Sequence, residues 1–138
     1  MKNKIRNLMM ALGVGVAIIA FWGEDIVEAA TNFTCGTNCI GITHTTGESV
    51  VLSNQSITVP EGGRILLEGT TTTSSRFNTE YHLVKGYYNY GSVVATWGGG
   101  NNWKHFTNLP SGVYRVKAVC KDTSSQNRCG GRATIQRY

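Results

Sequence analysis

Apolar positions along this chain follow two regimes. From Leu8 to Trp22 they form an almost unbroken run. Past residue 30 they come in short β-branched and aromatic stretches, cut by Gly, Asn, Ser, Thr and the occasional Pro. No stretch there repeats apolar residues at helical spacing, and alternation of period two recurs. The pattern predicts strands over Ser49–Val59 (broken near Asn54), Arg64–Thr71, Tyr81–Lys85, Ser92–Trp97, Trp103–Thr107, Val113–Cys120 and Arg132–Gln136. Turn signals such as Pro60–Glu61–Gly62–Gly63 and Leu109–Pro110–Ser111–Gly112 separate them. About six to eight short antiparallel strands at this spacing predict an all-β fold, a single β-sandwich of immunoglobulin-like or jelly-roll-like type.

The segment from Phe106 to Val119 is the clearest local pattern: an aromatic, a turn, then a strand of period two. Tyr114, Val116 and Ala118 fall on its inward face, Arg115 and Lys117 on its outward face. The last strand follows the same logic, with Ala133 and Ile135 inward and Arg132, Thr134 and Gln136 outward. Pairing of these two strands as a hairpin would gather Arg115, Lys117 and Arg132 on one basic outer face. The strand after Asn108–Leu109–Pro110–Ser111–Gly112 resembles those of immunoglobulin-like modules in secreted bacterial proteins. The resemblance is confined to this turn and strand, and no residue role follows from it.

The N-terminal run has the order of a secretory signal peptide. Lys2, Lys4 and Arg6 precede it, and Val27–Glu28–Ala29–Ala30 offers small residues for cleavage after Ala29 or Ala30. The run is shorter than the roughly 20 residues of a membrane span. Glu24, Asp25 and Glu28 are unusual in the tail of such a peptide and keep a retained anchor as the alternative. Residues 1–30 are therefore expected to be a signal peptide, and residues 31–138 one secreted domain of ordinary size.

The chain carries 13 Lys and Arg against 8 Asp and Glu, a net charge of +5. Acids balance bases within residues 1–30, so the excess belongs to the domain. It is concentrated late: Lys104, Arg115, Lys117, Lys121, Arg128, Arg132 and Arg137 are opposed there only by Asp122. A basic secreted domain is drawn to anions, and an anionic envelope polymer or membrane surface is the expected partner. Solubility accounts for the same charge with no partner at all. No specific nucleic acid is expected.

Secretion makes the four cysteines candidates for disulfides. Cys35–Gly36–Thr37–Asn38–Cys39 suits a tight turn, and Cys120 and Cys129 bracket the loop of the expected last hairpin. The local pairing, Cys35 with Cys39 and Cys120 with Cys129, is expected over the crossed pairings. The latter would tie the N-terminal arm to the end of the chain. The spacing does not match structural zinc sites, and no metal or cofactor is expected.

Candidate chemistry is sparse. The acids of residues 31–138 are Glu48, Glu61, Glu68, Glu80 and Asp122. There is no nucleophile elbow and no phosphate-binding loop. Nothing places two carboxylates as a glycosidase needs them. A secreted ribonuclease is the enzyme class the residues allow, from His82 or His105 with Glu80 beside Arg115 and Arg132. These residue types occur in most basic domains, so the expectation is a protein without catalytic residues.

Gly86–Tyr87–Tyr88–Asn89–Tyr90–Gly91 reads as an aromatic loop, and Trp97 and Trp103 flank a Gly/Asn loop at 98–102. Exposed Tyr and Trp stack on sugars, sit at membrane interfaces or anchor protein partners; otherwise they cap the core. The sequence thus predicts a secreted module, a cell-surface module or a small antibacterial or toxin-like effector, that binds an anionic surface or polymer through Arg115, Lys117, Arg132, Tyr87, Tyr88, Tyr90, Trp97 and Trp103. A protein-interaction module, such as an inhibitor or matrix subunit, is the second class. The small hydrolase is the third.

Overall fold

The computed structural model describes residues 26–28 and 31–138. The expected signal peptide lies outside the described residues, apart from Ile26–Glu28. The described residues form strands and no helix. In chain order they are β1 Ile26–Glu28, β2 Thr31–Gly36, β3 Cys39–His44, β4 Val50–Leu52, β5 Ile57–Val59, β6 Gly63–Thr71, β7 Thr79–Lys85, β8 Tyr88–Ala95, β9 Asn101–Leu109, β10 Gly112–Cys120 and β11 Gly131–Arg137. Sheet 1 runs β1-β4-β10-β7-β8, with β5 also paired to β10; sheet 2 runs β2-β3-β11-β6-β9. The β-sandwich expected from the pattern is present, with more strands than expected. The β2–β3 hairpin is an addition: β3 is buried at nearly every position, so no polar alternation marks it.

The inner faces close on one core. Ile42, Ile65, Leu67 and Ile135 come from sheet 2, and Val51, Leu83, Tyr114 and Val116 from sheet 1. Each such side chain contributes about 1.5–3 kcal/mol when fully buried. Tyr81 of β7 reaches across the sandwich and lays its ring over Gly69 of β6. A Cβ at Gly69 would stand 2.0 Å from the ring, so only glycine admits it. The Tyr81 hydroxyl donates to the Thr70 carbonyl at 2.9 Å and lies 2.8 Å from His44 Nε2. That hydroxyl has one proton, already given to Thr70, so His44 donates its Nε2–H to the phenol oxygen. At the other end of the core, Tyr114 donates its hydroxyl to the Pro110 carbonyl at 2.6 Å, the geometry of a tyrosine corner. Burial pushes its phenol up to about 12.

The last two strands do not form a hairpin. β10 is hydrogen-bonded to β7 on one side and to β4 and β5 on the other. β11 lies between β3 and β6 in the opposite sheet. Residues 121–130 therefore cross from one sheet to the other. Asp122 organises the crossing: its carboxylate accepts from the Ser124 and Arg128 backbone N–H groups and from Arg128 Nε, each at 2.9 Å. The Arg128 side chain, then these backbone donors, hold the carboxyl well below its usual range. Cys120 pairs with Cys129 and Cys35 with Cys39, the expected pairing. The first of these bridges clamps a crossover between sheets, and not a hairpin as expected.

The tyrosine loop is also shorter than expected. Only Gly86 and Tyr87 form the turn between β7 and β8, and Tyr88–Gly91 belongs to β8. Leu83 opposes Gly91 while Val84 opposes Asn89, which leaves Tyr90 as the extra residue of a bulge. Tyr90 packs against Tyr114 at 5.4 Å between ring centroids, so it belongs to the edge of the core.

Candidate functional site

The outer face of sheet 2 carries its residues in register across five strands. One row reads Thr31, Thr43, Arg132, Thr70, Asn101; the next reads Phe33, Gly41, Thr134, Glu68, Trp103. At about 4.8 Å per strand, Phe33 and Trp103 stand about 19 Å apart. Between them lies an open cleft of about 560 Å³ whose lining includes Thr43, Glu68, Thr70, Asn101, Arg132 and Thr134. The floor is thus rich in hydroxyls, with an aromatic at each end of its second row.

Each end is built from below. At the β2 end, the Phe33 ring lies flat over Gly41, where a Cβ would come within 2.2 Å of ring Cζ. Glycine at that position is what allows the ring to settle on the sheet. Arg132 then lays its guanidinium over the ring, Cζ 4.3 Å from the centroid, a cation–π contact. The guanidinium makes no ion pair or hydrogen bond among the described residues. At the β9 end, Trp103 is more than half exposed and meets His105 edge-on at 5.3 Å. His105 is held in turn by the Tyr138 hydroxyl, 2.7 Å from Nδ1. Asn101 Nδ2 donates to Thr70 Oγ1 at 2.8 Å. The carboxylate of Glu68 and the hydroxyl of Thr134 have no hydrogen-bond partner among the described residues. Behind the cleft sits the His44–Tyr81 pair; burial lowers His44 to about 4, so it is neutral at physiological pH.

The predicted basic face is divided between the two sides of the sandwich. Arg132 faces outward from sheet 2, while Arg115 and Lys117 face outward from sheet 1. The cause is the crossover at 121–130, which sends β11 to the other sheet. Arg115 Nε donates to the Ser53 carbonyl at 2.5 Å and ties down the β4–β5 connection. Lys117 stands opposite His82 in the pairing of β10 with β7. Of the residues that allowed a ribonuclease, Glu80, His82 and Arg115 share this face, while His105 and Arg132 lie on the other. Both nitrogens of His82 are engaged. Nδ1 accepts from Asn89 Nδ2 at 2.5 Å, whose own oxygen is held by Gly91 N–H, and Nε2 faces Glu80 at 3.4 Å. Lys121, 2.7 Å from Glu80, holds that carboxyl below its usual value, and burial lowers His82.

Tyr87 and Tyr88 are exposed at the β7–β8 tip, and Trp97 is exposed in the β8–β9 connection. Neither group joins the cleft lining. Of the predicted binding residues, Arg132 alone lines the cleft, from the central strand β11; Trp103 stands on the same face at the β9 edge, two strands away and outside the lining. Phe33, Glu68 and the threonines were not singled out from sequence. The signal for Phe33 would have been Gly41, opposite it in the register.

No protein-family model matches this sequence, and neither does any curated protein. Similar solved structures exist. PliG of Aeromonas hydrophila, a periplasmic lysozyme inhibitor of g-type lysozyme, superimposes with a TM-score of 0.53 at 10% identity, over 82% of this chain and 97% of that one. The pre-peptidase C-terminal domain of a Bacillus anthracis collagenase gives 0.45 at 9% identity, over 82% and 92%. A carbohydrate-binding module of Cellvibrio mixtus lichenase 5A gives 0.39 at 11% identity, over 78% and 77%. At such identities the likeness to PliG is one of fold: the chain is an all-β sandwich.

Proposed function

We propose that this protein is a non-enzymatic binding module that acts outside the cytoplasm and takes an anionic polysaccharide of a cell envelope on the outer face of sheet 2. The observation that carries this is the Arg132 guanidinium, fixed over Phe33 at the cleft without an acidic partner. A cation held in place by an aromatic support loses little freedom on meeting a ligand anion, and its hydrogen bonds to that anion are charge-assisted. The two disulfides support an oxidising compartment.

Sedimentation with isolated bacterial cell walls at low and high salt tests the proposal. The protein is expected to pellet with walls at low salt, less so at high salt. Arg132→Glu is expected to weaken binding about tenfold or more, since hydrogen bonds to charged groups are worth about 1.5–3 kcal/mol. Wall binding by Arg132→Glu equal to that of the parent protein contradicts it. A protein-interaction module is the second reading, favoured by the full exposure of Tyr87 at a hairpin tip. It predicts no wall binding, and loss of partner binding in Tyr87→Ser.

A further inference from the structure

The structure assigns a narrower ligand class to this face: a hydroxyl-rich glycan that carries few charges, lying across the strands from Arg132 to Trp103. The inference rests on the proposed function and names its substrate class.

Charge is the first argument. Arg132 and Glu68 are the only residues of the cleft lining that carry a charge, because His44 there is buried and neutral. The site is therefore balanced overall, with its cation at one end. One carboxylate or sulfate on the ligand fits beside Arg132. A polymer with a phosphate on every repeat would bring its next charges towards Glu68, and no second cation in the lining offsets that repulsion. The lysines that a dense polyanion would seek, Lys117 and Lys121, are on the opposite side of the molecule.

Hydrogen-bonding capacity is the second. Thr43, Thr70 and Thr134 present hydroxyls, which both donate and accept, and Glu68 only accepts. Glu68 and Thr134 are adjacent in the register and lack protein partners among the described residues. Such a set matches neighbouring sugar hydroxyls, which need an acceptor and a donor side by side. Trp103, next to Glu68 in the same row, supplies an aromatic surface whose orientation His105 and Tyr138 fix. A flat aromatic beside a few placed polar groups is the composition of a small-ligand or sugar site.

Three probes separate this from the broader proposal: intact cell walls, the same walls stripped of phosphate polymers by mild acid, and free polyphosphate. The protein is expected to bind intact and stripped walls alike. Its salt dependence should correspond to about one released counterion, a slope of about −1 in a plot of log affinity against log salt. Glu68→Gln and Trp103→Ala should each weaken binding to stripped walls about tenfold, while leaving the thermal unfolding midpoint unchanged, since both side chains are exposed. Binding that disappears on stripping and is strong on polyphosphate, with Glu68→Gln binding tighter, overturns the glycan inference and leaves the anionic-polymer proposal standing. Binding to none of the three overturns both.

Discussion

Tyr81→Ala is expected to cost about 4 kcal/mol of folding free energy, the middle of the range for deleting a large buried aromatic side chain. Tyr81 has no exposed surface and spans the sandwich from β7 to the backbone of β6. Its removal leaves a cavity lined by Gly69 and Gly131, neither of which has a side chain to fill it. It also orphans a buried donor, the Nε2–H of His44, and takes one hydrogen bond from the Thr70 carbonyl. Tyr81→Phe separates these contributions: the ring stays and only the hydroxyl goes. That variant should lose about 1–2 kcal/mol, the cost of leaving buried polar groups unpaired. Urea unfolding of the three proteins measures both. A Tyr81→Ala loss no larger than that of Tyr81→Phe would mean that the ring does not key the two sheets together.

The second large effect is on acidification. His44 is 3% exposed and donates to Tyr81, and burial brings it from 6.5 to about 4. The unfolded chain therefore binds the proton first. Stability from this group is full above pH 6.5 and falls as pH drops from 6.5 towards 4, by about 3 kcal/mol in all. His82, also lowered by burial, acts in the same direction. Asp122 and Glu80 are lowered carboxyls, and their contributions are lost only below the usual carboxylate range. Comparing the parent protein with His44→Gln isolates the contribution of His44. The amide can still donate to Tyr81 but does not titrate, so most of the slope between pH 6.5 and 4 should vanish in that variant. An unchanged slope would place the titration elsewhere.

Much of the sandwich was legible because period-two alternation is a local signal. The inward set Tyr114, Val116 and Ala118 and the outward set Arg132, Thr134 and Gln136 follow from it directly. Disulfide pairing was legible for the same reason: both bridges close short segments. Topology was not. A disulfide across 120–129 is compatible with a hairpin and with a crossover alike, and what decides is that β10 and β11 each already have two other neighbours. Those pairings are made by residues thirty or more positions away along the chain, which no local pattern reports. The basic face failed through this one error, since Arg115 and Lys117 were placed beside Arg132 only by the assumed hairpin.

The aromatic reading divided along similar lines. Gly91 and Asn89 looked like loop residues, yet they form a bulge that turns Tyr90 towards Tyr114. Trp103 was legible as an exposed aromatic, but not its neighbours, because Glu68 and Phe33 reach its row only through the register of sheet 2. Threonines in strands read as β-formers. Their convergence on one cleft is a property of three strands together.

Arg132→Ala and Lys117→Ala make the same change of net charge and are to be compared for binding to isolated cell walls at one low salt concentration. They remove one cation from opposite faces of the sandwich. Arg132→Ala is expected to lose about tenfold or more in affinity, while Lys117→Ala stays within about twofold of the parent protein. Equal losses from both would show that wall binding follows overall charge, and would contradict a site on the outer face of sheet 2.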